Sequence, residues 1–118
     1  MILLAITAAA GAQQAPLTWS DAYWAKQAEF QRCYDGQMVV IEKQKLSAKQ
    51  TLDGVLAACK PQWDARVEAL RVDLAKQRSE WSREAVDDFF ERHFRDFYDL
   101  RLHRLQQAFG EVPVIVQY

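Results

Sequence analysis

From Ser47 onward, apolar residues recur at Leu52, Leu56, Cys59, Trp63, Val67, Leu70 and Leu74, at intervals of 4, 3, 4, 4, 3 and 4. That spacing matches the turn of an α-helix and predicts one amphipathic element over 48–77. Ser47-Ala48-Lys49-Gln50 ahead of it has the S-x-x-Q form of a capping box. The stripe passes Pro61 without losing phase. A proline inside a helix costs about 3 kcal/mol, so the pattern predicts a kink or a closely stacked restart there rather than a loop.

An earlier stripe runs Tyr23, Phe30, Cys33, Tyr34, Met38 and Ile41. It predicts a first helix over 19–45, capped by Thr18 with Asp21 three residues on. Gly36 inside it costs about 1 kcal/mol relative to Ala. The third stretch carries Trp81, Ala85, Val86, Phe89, Phe90, Phe94, Phe97, Leu100, Leu105 and Phe109 before Gly110 and Pro113. It predicts a helix over 80–109 capped at Ser79, with Gly110 as its C-terminal stop. A single helix from Gln62 to Phe109 would be about 70 Å long, too long for one small core. Three segments of about 27, 30 and 30 residues suit a three-helix bundle. The β-branched run Val112–Val116 lies in an irregular apolar tail, 110–118. The expected fold is all-α: an antiparallel hairpin plus a third long helix.

Cys33 and Cys59, the only cysteines, each lie 13 residues from Leu46, where the chain is expected to reverse. Axes of packed helices lie about 8–10 Å apart, and Cα atoms sit about 2.3 Å from each axis. Facing Cα atoms can therefore approach within the reach of a disulfide. Both cysteines are on apolar stripes, so they face each other by pattern as well as by register. The competing readings are two buried free thiols and a redox-active pair. The second would want a close C-x-x-C pair or an activating cation beside an exposed thiol.

The N-terminus decides between them. Ile2–Ala10 is a short apolar run, followed by the small-x-small site Ala10-Gly11-Ala12 and then polar Gln13 and Gln14. This reads as a signal peptide, 1–12, with cleavage after Ala12 and a single mature domain, 13–118. About ten apolar residues are too few to span a bilayer, which takes roughly 17–25. No Lys or Arg precedes the run, and the alternatives are an apolar first helical turn or a start codon assigned too late. An exported chain places the thiols in an oxidising compartment, periplasmic or extracellular, and favours the disulfide.

At 118 residues, 50% hydrophobic and 26% charged, the composition is that of one globular domain rather than a disordered chain. Fifteen basic and 16 acidic residues are spread along the chain without a basic stripe, which argues against nucleic acid as a partner.

Polar residues concentrate in the third helix: Glu84, Asp87, Asp88, Glu91, His93, Asp96, Asp99 and His103. His93 with Asp96 and Asp99 with His103 have helical ligand spacing. The two histidines, however, lie about 15 Å apart along a helix and cannot share one mononuclear site. The interleaved Arg92, Arg95, Arg101 and Arg104 suit surface ion pairs. A glycosidase-type carboxylate pair drawn from Glu84, Asp88 and Glu91 would need a cleft that a polar helix face does not suggest. Ser20, Ser47, Ser79 and Ser82 sit at caps or on polar faces, with no G-x-S-x-G elbow. No Gly-rich loop is present to cradle a cofactor. The expectation is a non-enzyme without cofactor or metal.

The aromatic surplus is the more informative feature. Phe89, Phe90, Phe94, Phe97 and Tyr98 cover more than one side of a helix, whereas a bundle core needs only a stripe. They form the expected partner surface, with core and tail packing as the alternative. The segment Phe30–Leu70, with QRCYDGQ, the Ser47 cap and VLAACKPQWD, resembles a recurrent type of small bacterial periplasmic helical protein closed by one Cys-x25-Cys hairpin disulfide. Small envelope chaperones and lysozyme inhibitors share that general style. The resemblance carries over no site residue; the absence of catalytic motifs and the aromatic surplus point to a protein or peptide partner in the cell envelope. The second expectation is a metal or small-ligand binder using the acidic face of the third helix.

Overall fold

The structure, a computed structural model, describes residues 15–112. The signal-peptide expectation (1–12) and the last residues of the tail (113–118) lie outside them. Helix α1 spans Asp21–Ile41 and passes through a 3-10 turn, Glu42–Gln44. Helices α2 (Ala48–Ala58) and α3 (Lys60–Gln77) follow, then α4 (Arg83–Ala108). No strand occurs among the described residues, and the all-α expectation holds.

The chain reverses after the 3-10 turn. Lys45 takes a left-handed conformation, φ 57° and ψ 41°, and its N–H donates to the Glu42 carbonyl. Ser47 then opens α2 with a complete capping box. Its hydroxyl accepts from the Gln50 N–H at 3.1 Å, and the Gln50 side chain accepts from the Ser47 N–H at 3.1 Å. The expected 48–77 segment forms as two helices that meet at Cys59 (φ −104°, ψ 19°). The Cys59 N–H donates to Val55 at 3.0 Å, and its carbonyl accepts from the Trp63 N–H at 2.9 Å. Hydrogen bonding thus continues across the join. Pro61 stands in the first turn of α3, where a missing N–H costs nothing. This is the closely stacked restart, and it explains why the apolar stripe keeps its phase.

Two caps differ from expectation. Ser20, not Thr18, caps α1, its hydroxyl accepting from the Tyr23 N–H at 3.2 Å. The reason lies on α3, where buried Asp73 accepts from both the Ser20 N–H (2.8 Å) and its hydroxyl (3.0 Å). Thr18 is instead tied to Gln77. Its N–H donates to Gln77 Oε1 at 2.7 Å and its carbonyl accepts from Gln77 Nε2 at 2.6 Å. Likewise Ser82, not Ser79, caps α4 by accepting from Ala85 at 3.1 Å. Residues 78–81 form a turn closed by the Trp81 N–H on the Arg78 carbonyl (3.0 Å), while the Arg78 guanidinium donates to the Gln77 and Ala15 carbonyls.

Helix α4 stops as its glycine predicts. Gly110 has φ +75°, its N–H donates to Gln107, and the Glu111 N–H reaches back to Gln106 at 2.8 Å, the two bonds of a Schellman motif. The Glu111 carboxylate accepts from the Ala48 N–H at 2.8 Å and joins the end of α4 to the start of α2.

The core belongs to the hairpin: Phe30, Tyr34 and Ile41 of α1 against Leu52, Val55 and Cys59. Leu70 and Leu74 extend the buried set along α3. Helix α4 contributes no buried residue. Its Phe97, Tyr98, Leu102 and Leu105 cover the core while remaining partly exposed.

Cys33 and Cys59 are bonded, with Cα atoms 5.9 Å apart across 26 positions of sequence. Closing a loop of that length stabilises the fold by about 3 kcal/mol in the chain-entropy estimate. Cys33→Ser should therefore lower the unfolding free energy in urea by about 2–4 kcal/mol. Thiol titration of the denatured, unreduced wild type should detect no free thiol; two would contradict the pairing.

Candidate functional site

Trp63 is the hub between the hairpin and α4, one turn beyond the Cys59 join. Its ring centroid lies 5.2 Å from Phe30, 4.8 Å from Phe97 and 5.5 Å from Phe94. A stacked contact at 6.3 Å leads on to His93, whose ring lies nearly parallel to Phe89 at 6.2 Å. Phe89 in turn meets Phe90 at 5.4 Å and Trp81 at 6.1 Å. A line of aromatic rings thus runs from the centre of the core out to the turn before α4.

The five aromatic residues expected to form one partner surface are shared between two flanks of α4. Phe97 and Tyr98 pack against the hairpin core. The Tyr98 hydroxyl donates to Asp53 Oδ1 at 2.7 Å, and Lys49 donates to Asp53 Oδ2 at 2.7 Å. Burial, then the Asp53 hydrogen bond, raises the Tyr98 hydroxyl pKa, while Lys49 and Tyr98 lower that of Asp53. Phe94 is 42% exposed. It walls a depression of about 390 Å³ with Leu56, Ala57, Lys60, Trp63 and Asp64. Lys60 and Asp64 pair at 2.8 Å on its rim. Phe89 lies five positions before Phe94, which turns it about 140° around the helix. It lines a separate depression of about 380 Å³ with Trp81, Ala85, Asp88, Arg92, His93 and Asp96.

Guanidinium groups cover several of these rings. Arg71 lies 4.4 Å from the Phe90 centroid, and Arg101 lies 4.7 Å from Tyr34 and 4.9 Å from Phe97. Arg101 also donates to Gln31 at 3.3 Å, so it joins α4 to α1 rather than making the surface ion pair its spacing suggested. Arg92 with Asp88 and Arg95 with Glu91 do form such pairs.

Arg66 was not foreseen. It is 5% exposed, donates Nε–H to Gln27 Oε1, and lies 4.6 Å from the Trp63 centroid and 5.5 Å from Tyr23. Ring faces stand where a carboxylate would be expected. Burial lowers its pKa first of all, and Arg101 adds to the effect. Gln62 Oε1, Arg66 Nη1 and His93 Nε2 are buried with no hydrogen-bond partner among the described residues. The sequence did hold a signal for Arg66 and Asp73. Arg66 is three positions after Trp63 and four before Leu70, and Asp73 is three after Leu70, so helical periodicity puts both on the inner face.

No group of three His, Cys, Asp or Glu able to hold a metal ion is found among the described residues. Within the same range no helix is long and apolar enough to cross a membrane. No protein-family model, curated protein or solved structure matches this chain.

His93 carries a pH dependence of definite sign. Burial between the Trp63 and Phe89 rings, then repulsion from Arg66, lowers its pKa below the usual 6.5, against a smaller opposing pull from Asp96. The unfolded chain therefore binds the proton first, and folding stability falls as pH drops from about 7 toward the folded pKa, then levels off. Asp53, lowered from 3.8, acts only in more acid solution. Urea midpoints measured at neutral and mildly acid pH should differ in the wild type, and the difference should shrink in His93→Gln. An unchanged difference would assign it to other groups.

Proposed function

We propose that this chain is a small exported, non-enzymatic helical protein that binds a protein or peptide partner in the cell envelope or outside the cell. The observation that carries this reading is Phe94, a large aromatic side chain 42% exposed beside an apolar depression formed with Leu56, Ala57 and Trp63. Such a groove takes one apolar side chain of a partner, and the Lys60–Asp64 pair on the rim orients the polar backbone around it. Support for export comes from the disulfide, together with the apolar run and Ala10-Gly11-Ala12 at the N-terminus.

Binding is tested with a displayed library of random ten-residue peptides, selected on the oxidised protein. Selected peptides should share an aromatic or aliphatic anchor and change Trp63 fluorescence in a variant whose other tryptophans are phenylalanine. Loss of a buried aromatic contact is worth about 1.5–3 kcal/mol, so Phe94→Ser should weaken them about tenfold or more while helical content stays unchanged. Peptides that bind Phe94→Ser equally well would refute the groove.

Export has its own measurement. The intact mass of protein purified from its native host should correspond to a chain beginning at Gln13. A product that retains Met1 would remove the export claim and leave the groove untouched.

A further inference from the structure

On the other flank of α4, the depression of about 380 Å³ has a different character. Trp81 and Phe89 wall it, His93 continues the aromatic wall, and Asp88, Arg92 and Asp96 supply its charges. Arg92 is bound to Asp88. Asp96 makes no ion pair within 4 Å among the described residues, although Arg92 attracts it, and two carboxylates against one guanidinium leave the depression net negative while His93 is neutral. Burial and Arg66 favour that neutral form.

We infer that this depression is a binding site for a guanidinium side chain, an arginine presented by a basic peptide partner. Two observations support that occupant. The first is charge complementarity: two carboxylates, Asp88 and Asp96, share one guanidinium, Arg92, beside a concave aromatic wall, which leaves a negative charge over. The second is how the chain treats several of its other rings. Arg71 covers Phe90, Arg101 covers Phe97 and Tyr34, and Arg66 lies between Trp63 and Tyr23. Trp81 and Phe89 pair at 6.1 Å with no cation of this chain over either face among the described residues. A flat guanidinium in this depression meets the Trp81–Phe89 wall and the Asp88 and Asp96 carboxylates that line it. A lysine ammonium offers neither the planar contact nor the forked donors.

The site is distinct from the Phe94 groove, since Phe89 and Phe94 point about 140° apart on the helix. Either can fail without the other.

The probe is N-acetyl-Gly-Arg-Gly-amide, titrated into the isotope-labelled, oxidised protein at low salt and followed by amide and indole chemical shifts. A single side chain binds weakly, so the titration runs to about 20 mM, which covers dissociation constants in the millimolar range. Saturable shifts are expected at the Trp81 indole and at the backbone of Phe89, His93 and Asp96, and added salt should diminish them. Asp96→Asn and Phe89→Leu should each weaken the probe by roughly three- to tenfold, the loss expected for one charge or cation–π contact. Phe94→Ser, on the opposite flank, should leave it unchanged. The citrulline counterpart has nearly the same shape without the charge and should produce no saturable shift. Equal binding of the citrulline peptide overturns the proposal, as do an arginine response that persists in Asp96→Asn and the absence of any saturable shift. Equal binding of the lysine counterpart overturns the assignment of a guanidinium.

Discussion

The Cys33–Cys59 bond sets the register on which the other contacts of the hairpin depend, and it does so at the one residue where α2 becomes α3. Moving outward along α1 from Cys33, the partners on α3 follow in order. Gln27 meets Arg66, Ser20 meets Asp73 and Thr18 meets Gln77. The first two steps are about two helical turns on each side, as two antiparallel helices packed along their length require, and Thr18 with Gln77 lies a shorter step beyond. A slip of one turn would separate all of these pairs together and would withdraw Asp73 from the cap of α1. The sulfur link therefore acts on stability mainly through the unfolded chain, while its position in the hairpin decides which polar groups find partners.

The join at Cys59 also places Trp63. Because the Cys59 carbonyl still accepts from the Trp63 N–H, the first turn of α3 continues the face of α2, and the Trp63 ring arrives over Phe30. Helix α4 then has a hub to pack on, although none of its own side chains is fully buried. Its aromatic residues cover a wide arc, and the hairpin offers it only a narrow ridge. Phe97 and Tyr98 occupy that ridge, while Phe94 and Phe89 are left on opposite flanks.

Much of the fold was legible in the residues because the signals were local. The apolar intervals, the Ser47–Gln50 box, Gly110 and the equal spacing of the cysteines each act within a few residues or one hairpin. What sequence did not reveal depends on partners distant in the chain. Thr18 and Ser20 are equally good caps by composition, and Asp73 decides between them from 53 positions away. Ser79 and Ser82 are similarly equivalent until the turn from Arg78 to Trp81 uses the first. The aromatic surplus of the third helix was visible, but its division between two flanks was not. That division depends on where Trp63 and the turn at Trp81 place their rings.

Arg66 shows how the charged and aromatic parts of this molecule depend on each other. A guanidinium buried without a carboxylate is unfavourable unless something replaces its hydration. Here Gln27 takes one N–H and the faces of Tyr23 and Trp63 lie against the guanidinium, while Nη1 has no hydrogen-bond partner among the described residues. Trp63 can do this only while α4 keeps water from its other side, through Phe97, Phe94 and His93. The neutral form of His93 is favoured in that position, since a second positive charge beside Arg66 would be repelled and would itself be desolvated, against a smaller pull from Asp96. Docking of α4, burial of Arg66 and the protonation state of His93 are therefore one linked equilibrium. The fold is held in register by a covalent bond at one end of that chain of dependence, and at the other end it includes an imidazole whose neutral form its surroundings favour.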